Sequence, residues 1–162
     1  MNKCKCNCHK NSKIKTFMKY FLIMCFGGYI YVTLEILFRG RSAVEMMYCA
    51  SLCTLIIAIM NNIFTYEMDF SLQLLIGTLA STGIEWIFGI LFNQDYHIWD
   101  YRDMPLASPD GQVCVPFMLL WVLLISICIP LLDWIDWKIF SYKEDTPPYY
   151  KLFGKKIFQF KK

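Results

Sequence analysis

Four long apolar stretches occupy most of this chain and limit what it can fold into. They are Phe17 to Phe38, Ala43 to Phe64, Phe70 to Phe92 and Val113 to Ile135. Each is long enough to cross a hydrocarbon core of about 30 Å as an α-helix. Hydrophobic residues make up 57% of the sequence and charged residues only 18%, which is too apolar for a soluble domain of this size. The sequence therefore predicts an all-α membrane protein, a four-helix transmembrane bundle.

The distribution of basic residues predicts how the bundle is oriented. Most of the 16 Lys and Arg residues lie before the first apolar stretch or after the last one. Basic residues collect on the cytoplasmic side of membrane proteins, so we expect both termini to be cytoplasmic and the protein to lie in the cell membrane. We divide the chain into a basic, Cys-rich tail (1–16), a four-span domain (17–137) and a basic, aromatic tail (138–162).

The eight cysteines do not follow the pattern of a disulfide framework. Most lie within or beside the predicted spans, where a thiol usually packs as a small apolar group. A Cys-x-Cys-x-Cys-His run near the start offers the soft ligands that zinc and copper(I) prefer. It consists of Cys4, Cys6, Cys8 and His9. Its spacing is tighter than that of most structural zinc sites, so a reduced, solvated tail with no cofactor is the alternative.

Small and polar residues recur every four positions along the first and third stretches, which places each set on one face of a helix. The two sets are Gly27, Tyr31, Glu35 and Arg39, and Gly77, Ser81, Glu85, Gly89 and Asn93. Small residues on such a face allow membrane helices to approach closely. Helix packing is therefore a sufficient explanation for the glycines and the serine.

The carboxylates on these faces need a further explanation. An ionisable residue within a span is costly enough to indicate a functional site. Glu35 is one turn from Arg39, so a simple ion pair near the helix end is its alternative role. Glu85 has no basic residue in its own span and must be protonated, hydrated or paired across helices. We predict a polar cluster of Glu35, Arg39 and Glu85 in the outer half of the bundle.

The longest segment between spans, 94–112, interleaves aromatic and acidic residues. We add Asn93, Trp99, Asp100 and Tyr101 from this region to the candidate site. Trp and Tyr at a span end also mark the headgroup region, so anchoring is the alternative for these two aromatic residues. Prolines and glycine nearby predict irregular structure, and a segment of this composition is able to fold back as a lid over the polar cluster.

The final segment, Tyr149 to Lys162, mixes aromatic residues with lysines. Its bulky side chains fall at helix-compatible spacing, and its basic residues favour an anionic surface. We expect this segment to bind the cytoplasmic leaflet, with a solvated tail as the alternative.

Four short blocks carry a resemblance to a known family. They are Leu34 to Ser42, Gly83 to Gly89, Ile98 to Tyr101 and Gly111 to Cys114. In this order they resemble the small four-span membrane family labelled putative ABC-transporter permease (CmpB-like, putative ABC-transporter type IV), and similar blocks occur in small animal transmembrane proteins. The resemblance covers Phe17 to Trp137. One departure is Arg102, which stands where the family usually has a serine after Trp-Asp-Tyr.

The resemblance implies a permease-like transport subunit driven by an ATPase on another chain. This chain has no Gly-x-x-x-x-Gly-Lys-Ser/Thr phosphate loop, which such an ATPase needs. In a transport subunit, Glu35, Arg39 and Glu85 would line a polar cavity, and a proton-coupled exporter is a variant of this role. The expected partners are the lipid bilayer, a separate ATPase subunit and further copies of the chain, and no nucleic acid.

Two other classes of function remain open. One is an intramembrane enzyme acting on a lipid or isoprenoid, with Glu35, Glu85 and Asp100 as acid and base groups. The other is a non-catalytic membrane adaptor or sensor that works through its cysteine run and basic tail. Deletion of residues 1–13 distinguishes them, because only an adaptor or sensor would lose its function.

Overall fold

The computed structural model describes residues 4–64, 66–140 and 147–161, with side chains from Ile14 onward except that of Asn61. Within these ranges the main elements are four α-helices, one π-helical turn and one β-hairpin. The helices are α1 (Cys4–Arg39), α2 (Val44–Ile63), α3 (Phe70–Phe92) and α4 (Val115–Ile135). The π-helical turn (Asp136–Phe140) continues α4, and the hairpin consists of the antiparallel strands β1 (Tyr149–Leu152) and β2 (Lys155–Gln159).

The helices confirm the predicted all-α membrane bundle. Three segments are long and apolar enough to cross a membrane, namely Ile14–Arg39, Phe70–Phe92 and Val115–Phe140. The remaining helix, α2, has 20 residues, and its apolar described part is Val44–Met60. The bounds of α3 are those predicted from the apolar pattern. Helix α1 begins at Cys4 and so includes much of the segment that we treated as a tail.

The four helices pack in a bundle that has two distinct ends. Helix α1 packs along α2, α2 also packs on α3 and α4, and α3 packs on α4. We call the end with the α1–α2 and α3–α4 connections the loop end. The opposite end, where the α2–α3 turn meets β1, is the hairpin end. The core lies between α2 and α4, where Cys49, Ile125 and Ile129 are almost completely buried.

The stripes of small residues bring the helices close together. A Cβ atom added at Gly27 would clash with the side chain of Thr54 in α2. One added at Gly77 would lie 3.1 Å from Ile125 Cγ2 in α4. Gly83 is not part of either stripe, and a Cβ there would meet nothing within 4 Å. The glycines of the stripes therefore mark the helix contacts, as expected for small residues in membrane helices.

The final segment forms a hairpin, so the helix-compatible spacing in the sequence was a wrong indication of its local structure. Phe153 and Gly154 connect the strands with φ angles of 51° and 75°. Two consecutive positive φ values produce the tight turn of a two-residue hairpin, and glycine adopts such values without strain. The rings of Tyr150 and Phe158 stack across the strands with centroids 6.4 Å apart.

A buried carboxylate in α4 fixes the hairpin to the bundle. Asp133 is 6% exposed, and its Oδ2 accepts a hydrogen bond of 2.6 Å from the Tyr150 hydroxyl. Just beyond α4, Asp136 forms an ion pair of 2.7 Å with Lys19 of α1. At the hairpin end, α4 is therefore connected to the hairpin, and the turn that follows α4 is connected to α1.

Two carboxylates in the α2–α3 turn hold the hairpin from the other side. Glu67 accepts hydrogen bonds from Lys151 and Tyr149, and these bonds lower the pKa of Glu67. Asp69 accepts a bond of 3.2 Å from the Gly154 N–H. The hairpin is thus a folded part of the molecule with its own polar contacts.

Candidate functional site

Glu35 and Arg39 lie on consecutive turns of α1 at the loop end and form an ion pair. Arg39 Nη1 donates to Glu35 Oε1 at 2.7 Å, and Ser42 Oγ donates to Glu35 Oε2 at 2.6 Å. Arg39 Nη2 also donates to the carbonyl oxygen of Ile98 at 3.2 Å, which ties α1 to the α3–α4 loop. Glu35 is buried, while the Arg39 side chain is 36% exposed. Both carboxylate oxygens of Glu35 are therefore satisfied.

Glu85 occupies the buried face of α3 and is held by two neutral donors. Trp121 Nε1 in α4 donates to Glu85 Oε2 at 2.7 Å, and the Tyr101 hydroxyl donates to Oε1 at 3.1 Å. Only 3% of Glu85 is exposed. An ionised carboxylate only accepts hydrogen bonds, so two donors suit it and offset part of the cost of burying it. Burial, and then the negative charge of Glu85, raise the pKa of Tyr101.

Tyr31 connects these two carboxylates. It precedes Glu35 by one turn of α1, and its ring stacks on Trp121 with centroids 6.0 Å apart and planes inclined by 13°. Trp121 in turn donates a hydrogen bond to Glu85. Among the hydrogen bonds and ion pairs of the described residues, Arg39 contacts Glu35 and not Glu85. The predicted cluster therefore consists of two adjacent units joined through Tyr31.

Asn93 folds the α3–α4 loop (93–114) from its buried position at the end of α3. Asn93 Nδ2 donates to the Trp99 carbonyl at 2.6 Å, and Asn93 Oδ1 accepts the Ile98 N–H at 2.9 Å. Gln112 Nε2 donates to the Asn93 carbonyl at 3.1 Å, and Trp99 Nε1 donates to the Gln112 carbonyl at 2.9 Å. In the structure, Asn93 and Trp99 fix the shape of the loop and thereby position Tyr101 against Glu85.

Asp100 lies on the exposed side of the same loop. Arg102 donates to it from Nε at 2.9 Å and from Nη2 at 2.6 Å. These bonds lower the pKa of Asp100 to about 2. Residues two apart do not face each other on a helix, but the irregular backbone here allows the pair. No described hydrogen bond or ion pair brings Asp100 to Glu35 or Glu85.

Two apolar cavities run beside the carboxylate units. The larger, with a volume of about 310 Å³, lies between α1, α4 and the α3–α4 loop and is bounded by Glu35 and Arg39. A second, of about 180 Å³, lies between α1, α2 and α4. Both cavities are lined by Tyr31, Leu34 and Leu124. The two apolar cavities are therefore direct neighbours.

A polar cavity of about 200 Å³ lies on the other side of the ion pair. Glu35 and Arg39 line it as well, together with Arg41, Ser42 and His97. The ion pair thus forms a common wall between an apolar space and a polar one. Such a combination, a mostly apolar cavity with a few polar groups at one place, is typical of ligand sites.

A family model with the description putative ABC-transporter type IV (CmpB) matches residues 19–150. The chain belongs to this family. The match includes both carboxylate units, the α3–α4 loop and all of α2, α3 and α4. No curated protein and no solved structure matches the chain. Family membership and the apolar helices together identify a transport-related membrane protein.

The predicted metal ligands of this CmpB-family protein are Cys4, Cys6, Cys8 and His9. Their side chains lie outside the part of the chain that the structure describes in side-chain detail. In the part that it does describe, no group of three or more His, Cys, Asp or Glu residues is placed to hold a metal ion. Metal binding by the N-terminal run stays a prediction.

Sequence reasoning missed several residues that complete the site. Trp121 carries a sequence signal, because an indole N–H within a span needs an acceptor. Asp133, which holds the hairpin at the other end of the bundle, carries the same signal as Glu85, a carboxylate within a predicted span. Ser42 and Gln112 lie within the blocks that carry the family resemblance, but the contacts that they make do not follow from any periodicity in the sequence.

Proposed function

We propose that this CmpB-family protein is the permease-like membrane subunit of a transporter, that it lies in the cell membrane with both termini in the cytoplasm, and that an ATPase on a separate chain drives it. The observation that carries the proposal is the Glu35–Arg39 pair, which lines an apolar cavity and a polar cavity at once. A molecule that moves between lipid and water meets both environments at this wall.

The Glu85 unit supports the same role. Its two donors reside on different elements, Tyr101 on the loop and Trp121 on α4. A displacement of α4 relative to α3 would therefore change the number of hydrogen bonds to a buried carboxylate. The free energy of a buried charge depends strongly on the hydrogen bonds that it receives. Glu85 is therefore suited to favour one relative position of these helices over another during a transport cycle.

The hairpin end offers a physical connection for an ATPase on the cytoplasmic side. Asp69 and Glu67 join the hairpin to the start of α3, and Asp133 joins it to α4. A force applied at this end would reach the two helices that hold Glu85 and Trp121. The enzymatic alternative has less support, since Asp100 is paired with Arg102 and is not joined to either carboxylate unit.

The test is purification of the tagged full chain from its native membranes in mild detergent. We expect a nucleotide-binding partner that reacts with photoactivated 8-azido-ATP and hydrolyses ATP. Glu85→Gln and Arg39→Ala should lower the hydrolysis rate strongly without loss of the complex. Leu37→Ala is the control, because Leu37 is 75% exposed on the outer surface of α1. Purification of the chain with no nucleotide-binding partner would contradict the proposal.

A further inference from the structure

The two apolar cavities lie side by side between α1 and α4, and together we call them the α1–α4 groove. Tyr31, Leu34 and Leu124 line both of its parts. Phe26 and Ile127 line it and are still 49% and 60% exposed. Helix α1 packs along α2, whereas α4 packs on α2 and α3. Helices α1 and α4 meet at the stacked rings of Tyr31 and Trp121, and beside this contact the groove is open on the outer surface of the bundle.

The charges that line the polar cavity beside the groove do not cancel. Glu35 is neutralised by Arg39, and His97 is paired with Asp95. Arg41 lines the polar cavity, and none of the ion pairs among the described residues gives it a carboxylate partner. The polar cavity therefore carries an excess positive charge directly beside an apolar groove.

We propose that the α1–α4 groove binds one anionic phospholipid, with an acyl chain along Leu34 and Leu124 and the phosphate against Arg41 and Arg39. Guanidinium groups bind phosphate oxygens with charge-assisted, often bidentate hydrogen bonds. A soluble phosphate would leave the apolar groove unfilled, and a neutral lipid would leave Arg41 without a partner. The inference rests on the proposed function in one respect: it names such a lipid as the class of substrate.

Native mass spectrometry of the full chain in detergent tests the apolar part of the site. We expect the wild-type protein to retain one phosphatidylglycerol molecule. Leu124→Trp fills the groove where its two parts meet and should raise the dissociation constant for phosphatidylglycerol about tenfold, equivalent to about 1.4 kcal/mol. Leu123→Trp is the matched control, since Leu123 is 58% exposed and does not line the groove. Equal loss in both variants, or in neither, would overturn the inference.

The phosphate contact is tested by Arg41→Gln, with Arg102→Gln as the matched control. Arg102 carries the same charge at the same end, but it is paired with Asp100 and does not line the polar cavity. Arg41→Gln should weaken phosphatidylglycerol binding about tenfold and leave diacylglycerol with the same acyl chains unaffected. Stronger retention of diacylglycerol, or of free glycerol phosphate, than of phosphatidylglycerol would contradict a phospholipid site.

The two proposals fail separately. Retention of the lipid by a chain that purifies without an ATPase would contradict the transporter role and support the lipid site. An ATPase complex whose membrane subunit does not retain phosphatidylglycerol would support the transporter role and contradict the lipid site.

Discussion

At the scale of single residues, the central fact is that Glu85 is buried with two neutral donors, and that no cation pairs with it among the residues that the structure describes. Trp121 and Tyr101 each give it one hydrogen bond. Neutral donors stabilise the charge less than an arginine would, so the stability of the ionised carboxylate depends on both hydrogen bonds. Each contact comes from a different element, which makes the carboxylate sensitive to helix movement.

Glu85→Gln and Glu85→Ala separate the charge of this side chain from its hydrogen bonds. The glutamine oxygen can accept from Trp121, and its amide can donate to the Tyr101 hydroxyl, so we expect unfolding free energy within about 1 kcal/mol of wild type. The alanine variant leaves both donors without their acceptor and should lose about 1–3 kcal/mol for each. Unfolding in mixed detergent and SDS measures both values.

Activity then distinguishes a functional Glu85 from a structural one. Glu85→Gln should abolish the ATPase-coupled activity of the complex, because an amide carries no charge and exchanges no proton. Full activity in a folded Glu85→Gln protein would show that the carboxylate serves only to hold Trp121 and Tyr101 in place.

At the scale of elements, the absence of a side chain at Gly89 allows the α3–α4 loop to pack closely against α3. Gly89 lies against the Gln112 side chain, whose Cβ would be only 2.8 Å from a Cβ added at Gly89. Gln112 in turn holds Asn93 and Trp99. The glycine therefore admits the side chain that closes the α3–α4 loop over the site.

Gly89→Ala and Gly83→Ala form a matched pair within α3. The first should destabilise the protein by about 1–3 kcal/mol, because the new methyl group overlaps with Gln112. The second adds a methyl group in open space and should be neutral or stabilise by up to about 1 kcal/mol through helix propensity. Thermal unfolding in detergent measures the difference. Equal effects would mean that Gln112 moves away freely.

The hairpin should respond to acid through Asp69. The Ser71 hydroxyl, and then the N–H groups of Ser71 and Gly154, lower the pKa of Asp69 from its ordinary 3.8. Because the folded pKa is depressed, this contact stabilises the docked hairpin above pH 3.8 and is lost as the pH falls through the lowered value. The Gly154 amide proton shift, followed by NMR in micelles, should titrate with an apparent pKa below 3.8.

Asp69→Asn is the control for this titration. Asparagine does not titrate, so the acid-dependent shift of the Gly154 amide should disappear. A wild-type transition at or above pH 3.8 would indicate that the hairpin is not docked on Asp69 in solution.

At the scale of the whole molecule, the apolar runs were sufficient to predict the helices. A run such as Phe70–Phe92 has no other favourable structure in a bilayer, since every backbone group must be paired within the segment. The pairing across helices was not predictable in this way. Periodicity shows that Glu85 lies on a packed face, but not that Trp121, 36 residues later, faces it. The hairpin was missed because a run this short fits both helical and strand spacing.

Topology is the prediction that belongs to the whole molecule. With both termini cytoplasmic, a thiol reagent that cannot cross membranes should label an engineered cysteine at exposed Asp103 in intact cells. It should miss Cys4 and an engineered cysteine at Phe153, the exposed tip of the hairpin, until the membrane is opened. Labelling of Cys4 or of the Phe153→Cys variant in intact cells would reverse the orientation.

The two donors of Glu85 also impose an order on biogenesis. Tyr101 and Trp121 follow Glu85 by 16 and 36 residues, and a ribosome delivers them to the membrane in that order. While α3 enters the bilayer, its carboxylate has neither donor, and it gains the second only when α4 is inserted. A nascent chain that stops before α4 therefore keeps a carboxylate within the membrane that lacks the second of its two donors, and this distinguishes an unfinished chain from a complete one.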